Sequence, residues 1–437
     1  MRFKRDINNI LCIWKDHLLR TPLILRGARQ VGKTYAIEEF GRQNFEIMLT
    51  LNFESDPHYK ECFEDPNLSS TIRSIELISH QKIVPGKILL FLDEIQACPK
   101  ALQSLRYFKE KIPELHIIAA GSLLEFAMQD EEFSFPVGRV QFARLYPLSF
   151  GEFLEALGGT DLRQQLHLFG KKHPPSSAIH QYLLQKVREY FIVGGMPSVV
   201  SAFLLTNSFL DVKRTQKSIW DAYENDFGKY APKTQHRHLR KIFSKVPALI
   251  GDHVKYSKID PELPNPSREM KRAIELLHLA GLIHPILATS AGGLPLASGL
   301  KETIFKLLFL DIGLVEQAMN IDPMHPGLMA GALAEQFVGQ ELLATADPFT
   351  GTQLFFWNRD QGSAEVDYLT SLNGSIIPIE VKAGKEGTLK SLHLFLKEKK
   401  VPFGVRISEA PLSLKDNILS IPFYLIPETH RLISEFL

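Results

Sequence analysis

The chain has 437 residues, with 50 Lys+Arg against 49 Asp+Glu and a net charge of +1. Hydrophobic residues are 45% and charged residues 23%, which excludes a disordered tail, a collagen-like repeat and a small disulfide scaffold. The charge balance argues against a purely electrostatic nucleic-acid binder but leaves room for one basic face. Cys12, Cys62 and Cys98 are odd in number and far apart, so they offer neither a disulfide framework nor paired metal-ligand spacing. A reducing cytosol, hence a cytoplasmic location, is the simplest expectation. The most apolar short runs, at 88–92 and 307–310, fall far short of the roughly 20 residues of a spanning helix. The basic start, Met1–Asp6, is followed by no long apolar region, so neither a membrane span nor a secretory signal is expected.

The length suggests about three domains at roughly 150 residues each. Up to about Phe153, short apolar runs alternate with helical patterns, as in an α/β layer fold. The runs at 22–25, 45–52, 87–92 and 116–120 are apolar nearly throughout, which suits central parallel strands covered on both faces. From Leu154 to about Lys233 the periodicity is helical, broken at Gly194-Gly-Met-Pro197. A Pro-rich stretch, 260–266, precedes a helix for which Ser267 is the expected N-cap. Extended segments follow on either side of Ser290-Ala-Gly-Gly293, an order that resembles a winged helix. From Gly327 a long helix and several strands make a second α/β unit.

Gly27-Ala28-Arg29-Gln30-Val31-Gly32-Lys33-Thr34 fits G-x-x-x-x-G-K-[ST] in full, with a strand before it (Leu23–Leu25) and a helical pattern after it (Tyr35–Phe40). Small residues at 27 and 32 let backbone N–H groups curl around phosphate oxygens, and the helix N-terminus adds partial positive charge. Lys33 is expected to reach the β- and γ-phosphates of ATP and Thr34 to ligate Mg²⁺. Arg29 either lines the loop or faces solvent. The apolar run at 88–92 ends in Asp93-Glu94, where Asp93 would hold Mg²⁺ through water and Glu94 would deprotonate the attacking water. The alternative is that the pair caps the next helix. Ser122, after the 116–120 run, either touches the γ-phosphate or caps a helix over Leu123–Met128. Arg139 either supplies charge to the transition state or is a plain surface arginine.

Several stretches together carry a specific resemblance: Arg26–Thr34, Leu92-Asp-Glu-Ile-Gln96, Gly121-Ser122, Gly138-Arg139, Tyr146–Phe153, Gly194–Pro197, Asp311-Ile-Gly-Leu314 and Ile379-Glu-Val-Lys382. In order and over nearly the whole chain, the sequence resembles bacterial and archaeal AAA-type ATPases that carry a C-terminal domain of unknown function with a restriction-endonuclease-like fold. The resemblance implies a P-loop NTPase parallel sheet over 1–153, a helical lid-like region over 154–235, a winged-helix-like domain over 236–325 and a PD-(D/E)xK nuclease-like α/β domain over 326–437. It implies ATP binding and leaves the biological role open.

In the last segment, Glu335 lies on a helical stretch whose neighbours at i±3 and i±4 include no cation. The run at 364–370 alternates, with Glu365 and Asp367 on one face, and the run at 376–382 puts Glu380 and Lys382 on one face. An Asp followed one strand later by Glu-x-Lys is the nuclease pattern. Asp367 and Glu380, with Glu335, would hold Mg²⁺, and Lys382 would stabilise the developing phosphate charge. The alternative is a solvated Glu/Lys face on an edge strand. His236-x-His238 reads as two polar residues on the surface. Arg237, Arg240, Lys241, Arg268, Lys271 and Arg272 either face phosphates of DNA or form an ordinary solvated face. Trp220 and Tyr223 are expected to fill core. The expected function is a Mg²⁺-dependent ATPase whose nucleotide state controls a nuclease-like module acting on DNA or a partner, with a homo-oligomer possible. A regulatory scaffold with an inactive nuclease-like domain is the alternative. A small-molecule kinase is disfavoured, because a kinase needs no water-activating Glu94.

Overall fold

The computed structural model describes residues 2–122, 124–127, 138–230, 233–259, 266–321, 331–359, 362–385 and 387–436. The Pro-rich residues 260–265, Leu123 and Met128, and the expected boundary near 326 lie outside them. The chain divides into two compact units, Lys4–Tyr146 with Asp347–Gly351, and Pro147–Ala346 with Met1–Phe3 and Thr352–Leu437.

The first unit is built on β1 (Leu23–Arg26), β2 (Ile47–Asn52), β3 (Ile88–Asp93), β4 (His116–Ala120) and β5 (Gln141–Arg144). Their order is β2-β3-β4-β1-β5, and every neighbouring pair is parallel. All residues of β3 and β4 are buried, which accounts for their unbroken apolar sequence. The helices Ile7–Asp16, Lys33–Asn44 and Pro99–Lys111 turn apolar stripes inward, through Leu11 and Trp14, Ile37 and Phe40, and Leu105 and Phe108. Because all five strands run the same way, their carboxyl ends share one edge, the edge at which open α/β sheets bind ligands. β4 lies between β1 and β3, so Ser122 falls between the glycine-rich loop and the acidic pair.

The second unit opens with helices, among them Phe150–Ala156, Ser177–Val193, Pro197–Thr206 and Phe209–Tyr230. Ser149 and Glu152 cap the first of these reciprocally, side chain to backbone N–H in both directions. The break at 194–196 is a turn with Gly194 at φ 71°. There the buried Asp311 carboxylate accepts from Gly195 N at 2.7 Å and Leu314 N at 3.2 Å, joining two motifs far apart in the chain. Burial pushes Asp311 up to about 6, against those donors.

Helices Lys233–Leu249 and Pro266–Leu279 precede a hairpin of β6 (Ile283–Thr289) and β7 (Leu300–Phe309). The second helix already includes Pro266, so Ser267 sits inside it rather than capping it. Proline suits a first helical turn, where its missing N–H has no partner to lose. The hairpin does not stand apart. It continues into β8 (Phe355–Asn358), β9 (Glu365–Leu372), β10 (Ser375–Val381), β11 (Gly404–Ser408), β12 (Ser413–Lys415) and β13 (Ile418–Pro422) as one eight-stranded sheet, ordered β12-β13-β11-β10-β9-β8-β6-β7. β8 pairs with β6 in parallel and so satisfies an edge that an isolated hairpin would leave open. The pairing register slips at Leu287/Ala288 and between Phe355 and Trp357. Trp220 and Tyr223 are buried, Trp220 stacked against Phe309 with ring centroids 5.6 Å apart. Among the described residues, no single helix is long and apolar enough to cross a membrane.

Candidate functional site

The loop after β1 has the backbone that a phosphate cradle requires. Gly27 has φ 144°, and a Cβ there would lie 2.2 Å from Leu145 O, so no larger residue fits. Gln30 and Gly32 also take positive φ, 64° and 92°, which turns the loop back into the Lys33–Asn44 helix. Ala28 and Val31 are buried beneath it, while Gln30 and Thr34 are exposed and Arg29 is half-buried. Lys33 Nζ donates to Gly27 O and Ala28 O, both at 2.8 Å, and so lies folded against its own loop. Burial pushes this ammonium down to about 8, with Glu94 and Asp93 pulling the other way.

At the end of β3, the buried Asp93 faces Thr34, whose Oγ1 lies 3.4 Å from Asp93 Oδ2. Asn52 Nδ2, at the end of β2, donates to the same oxygen at 3.2 Å. Burial, then the neighbouring Glu94, push Asp93 up to about 6. Glu94 is held in the left-handed region at φ 49°, a conformation that costs a non-glycine residue about 1–3 kcal/mol. Its own N–H donates to Asp93 Oδ1 at 3.1 Å. Its Oε2 accepts from Gln96 Nε2 at 2.7 Å and faces Ser122 N at 3.4 Å. Ser122 Oγ is buried with no hydrogen-bond partner among the described residues. The donor set suits a magnesium nucleotide. Thr34 and Asp93 offer hard oxygens for the ion, and Lys33 and the loop N–H groups serve the phosphates.

A second cluster forms in the other unit around a residue that the sequence reading did not single out. Lys306, on β7, has a side chain 4% exposed. Its Nζ lies 2.9 Å from Glu335 Oε2, pairs closely with Glu365 Oε1, and is 3.7 Å from Asp367 Oδ1. Glu365 also meets His253 Nε2 at 2.8 Å, and Asp367 Oδ2 accepts from Val381 N at 2.7 Å. Lys382 Nζ donates to Glu380 Oε1 at 2.6 Å. Burial, then Asp367, push both Glu335 and Glu380 up to about 7, against Lys306 and Lys382 respectively. Burial would also raise Glu365, but His253 and Lys306 outweigh it and hold that carboxyl below its usual value.

Three family models match the chain. One described as an AAA domain covers residues 19–154, and two described as domains of unknown function (DUF8612 and DUF4143) cover 184–325 and 330–426. Residues 19–154 are a P-loop domain of the AAA type. No curated protein matched the sequence. Among solved structures, the chain is similar to a Walker-type ATPase of Pyrococcus abyssi, at 14% identity and TM-score 0.44, over 72% of this chain and 96% of that one. It is also similar to the Aeropyrum pernix ORC1 protein in complex with DNA, at 13% identity and TM-score 0.30, over 72% of this chain and 91% of that one. A third is the Thermotoga maritima RuvB Holliday junction branch migration motor, at 12% identity and TM-score 0.28, over 64% of this chain and 89% of that one.

Within the AAA domain, Gly27–Thr34, Asp93, Glu94 and Ser122 converge at the carboxyl edge of the sheet. Arg139 is not brought to them. It precedes β5, which runs parallel to β1 with Gln141 opposite Leu23, so it lies at the amino edge, away from Gly27. There it is exposed and pairs with Glu110 at 3.0 Å. Asn52 is a member of the site that the sequence reading missed, and Gln96, quoted there only within a motif, was given no role. The available signal was a polar residue ending the neighbouring strand, Asn52, and another two residues past Glu94, Gln96. In the second unit, Glu380 pairs with Lys382, and Glu335 and Asp367 meet around one residue, Lys306. What Glu335 and Asp367 face, however, is an ammonium in place of the expected magnesium ion. Among the described residues, no group of three or more acids, imidazoles or thiolates is arranged to hold one metal ion. The Lys306 ammonium would be a like charge beside any ion held by Glu335 and Asp367. The signal for Lys306 was a lone charge in the apolar stretch Phe305–Leu310, which demands a buried counter-charge.

Proposed function

We propose that the chain hydrolyses ATP in a magnesium-dependent reaction and that its nucleotide state controls the second unit, which acts on DNA or a partner. The observation that carries the first part is the convergence of Lys33, Thr34, Asp93 and Glu94 at one sheet edge. Lys33 exchanges its two loop carbonyls for phosphate oxygens, and the loop N–H groups hold the remaining negative charge. Thr34 and Asp93 are the residues that would hold the ion. Charge neutralisation across the phosphates is what magnesium supplies at that point. Glu94, aimed by Gln96, takes the proton of the attacking water, and Ser122 Oγ offers its unused bond to that water or to the γ-phosphate. Arg139, at the far edge, serves only a neighbouring copy, so its catalytic role requires an oligomer.

Glu94→Gln should keep nucleotide binding while hydrolysis falls by about two orders of magnitude or more, the scale of a lost general base. Lys33→Ala should abolish nucleotide-dependent thermal stabilisation. Wild-type turnover in Glu94→Gln would remove Glu94 from the mechanism.

For the second unit, Lys306 favours a module that binds over one that cuts, since it lies against Glu335 and Asp367, two of the three acids a cutting site needs for metal. Exposed Arg237, Arg240, Arg268, Lys271 and Arg272, the last 3.6 Å from Glu275, with half-buried Lys241, are the residues assigned to phosphates of DNA. Fluorescence anisotropy of labelled duplex DNA, with and without ATP, tests this. Charge reversal at Arg240 and Lys271 should weaken binding and flatten its salt dependence.

A further inference from the structure

A buried ammonium is costly unless it is paired, and Lys306 is paired on several sides. Glu335 and Glu365 touch it, Asp367 lies 3.7 Å away, and the Phe356 ring centroid is 5.5 Å from Nζ. Burial alone would push the ammonium down, but Glu335, Asp367 and Glu365 outweigh it and hold it above its ordinary value. These carboxylates come from a helix and from β9, while Lys306 comes from β7, so the cation joins elements distant in sequence. A divalent ion entering the same group would meet a like charge at close range.

We propose that Lys306 is the resident cation of this cluster, its ammonium standing where a divalent metal would be expected, so that the second unit holds these acids together without metal. The inference deepens the reading of that unit as a binding module. It assigns Lys306 as a positioning residue for Glu335, Glu365 and Asp367, and with them for the β9–β10 pair that Lys382 directly follows.

The test is a Mn²⁺ titration of the full chain without nucleotide, read by the paramagnetic resonance signal of the free ion. Wild type and Asp367→Asn should bind Mn²⁺ alike. Lys306→Met should gain one site at least about tenfold tighter, the effect of removing one like charge at this range. Adding Asp367→Asn to Lys306→Met should abolish the gain. A wild-type site that Asp367→Asn removes overturns the proposal, and so does a folded Lys306→Met that gains no ion. Where Lys306→Met does not fold, Lys306→Gln takes its place, and the comparison of wild type with Asp367→Asn decides without either. Ion counting is independent of DNA binding. A protein that binds no DNA yet behaves as above keeps the resident lysine and loses the binding-module reading.

Discussion

At Lys33 a buried ammonium rests on two carbonyls of its own loop, and its pKa near 8 follows from that burial. Phosphate oxygens favour the charged form, so bound nucleotide raises this pKa. Above about pH 8 binding must therefore take up a proton, and affinity should fall with rising pH by up to tenfold per unit. Below pH 8 Lys33 contributes no slope. For folding the sign is the reverse. The unfolded chain holds the proton more tightly, so on this group's account stability rises from about pH 8 toward the ordinary lysine range near 10.5. Titration calorimetry at pH 9 in two buffers of different ionisation enthalpy should show proton uptake, and at pH 7 none from this group. An affinity that is flat up to pH 9.5 would mean that the ammonium is not buried in the free protein. The loop itself was legible in the sequence because its eight residues are consecutive and each has a local role. Lys306 was not, since its counter-charges lie as far along the chain as Asp367.

Among the elements, the helix Ala332–Ala344 shows how polar side chains can be structural in a core. It is buried around most of its circumference, including Gln336, Gln340 and Glu341. Gln336 Oε1 accepts from Phe309 N and its Nε2 donates to Phe309 O, both at 2.8 Å, so one side chain completes the end of β7 like a strand neighbour. Gln340 does related work, accepting from Ile312 N at 2.8 Å and donating to Tyr190 Oη at 2.9 Å. Gln336→Leu leaves both groups of Phe309 without that partner. At on the order of 1–3 kcal/mol per stranded group, it should cost more than about 2 kcal/mol. Urea denaturation of the variant measures this, and a loss under about 0.5 kcal/mol would show that the joint is not needed. Period and propensity identify this helix, but they say nothing of why two glutamines are inside it.

For the molecule as a whole, the position of Arg139 sets whether one chain completes the proposed ATPase site. Arg139 lies at the amino edge of the sheet and the nucleotide loop at the carboxyl edge, so a single copy does not bring the two together. If the arginine acts in trans, hydrolysis per molecule should rise with protein concentration. Arg139→Ala, inactive alone, should then recover activity when mixed with Lys33→Ala, which keeps its arginine. A mixture shown to co-assemble that stays inactive would leave Arg139 its pairing with Glu110 and no part in turnover.

The sequence by itself determined the AAA domain's candidate site. The Gly27–Thr34 loop, the buried run of β3 and its terminal Asp93-Glu94 are set by neighbours in the chain, through backbone freedom, unbroken apolarity and carboxylates at a strand end. Alternation likewise placed Glu380 beside Lys382 and Glu365 beside Asp367. Only the tertiary structure decided which end of the sheet Arg139 occupies, because that depends on the parallel pairing of β5 with β1. It alone joined the β6–β7 hairpin to β8, and it alone placed Lys306 among Glu335, Glu365 and Asp367. In each case the deciding force is a contact between elements far apart in sequence: a strand edge seeking hydrogen bonds, or a buried charge seeking its opposite.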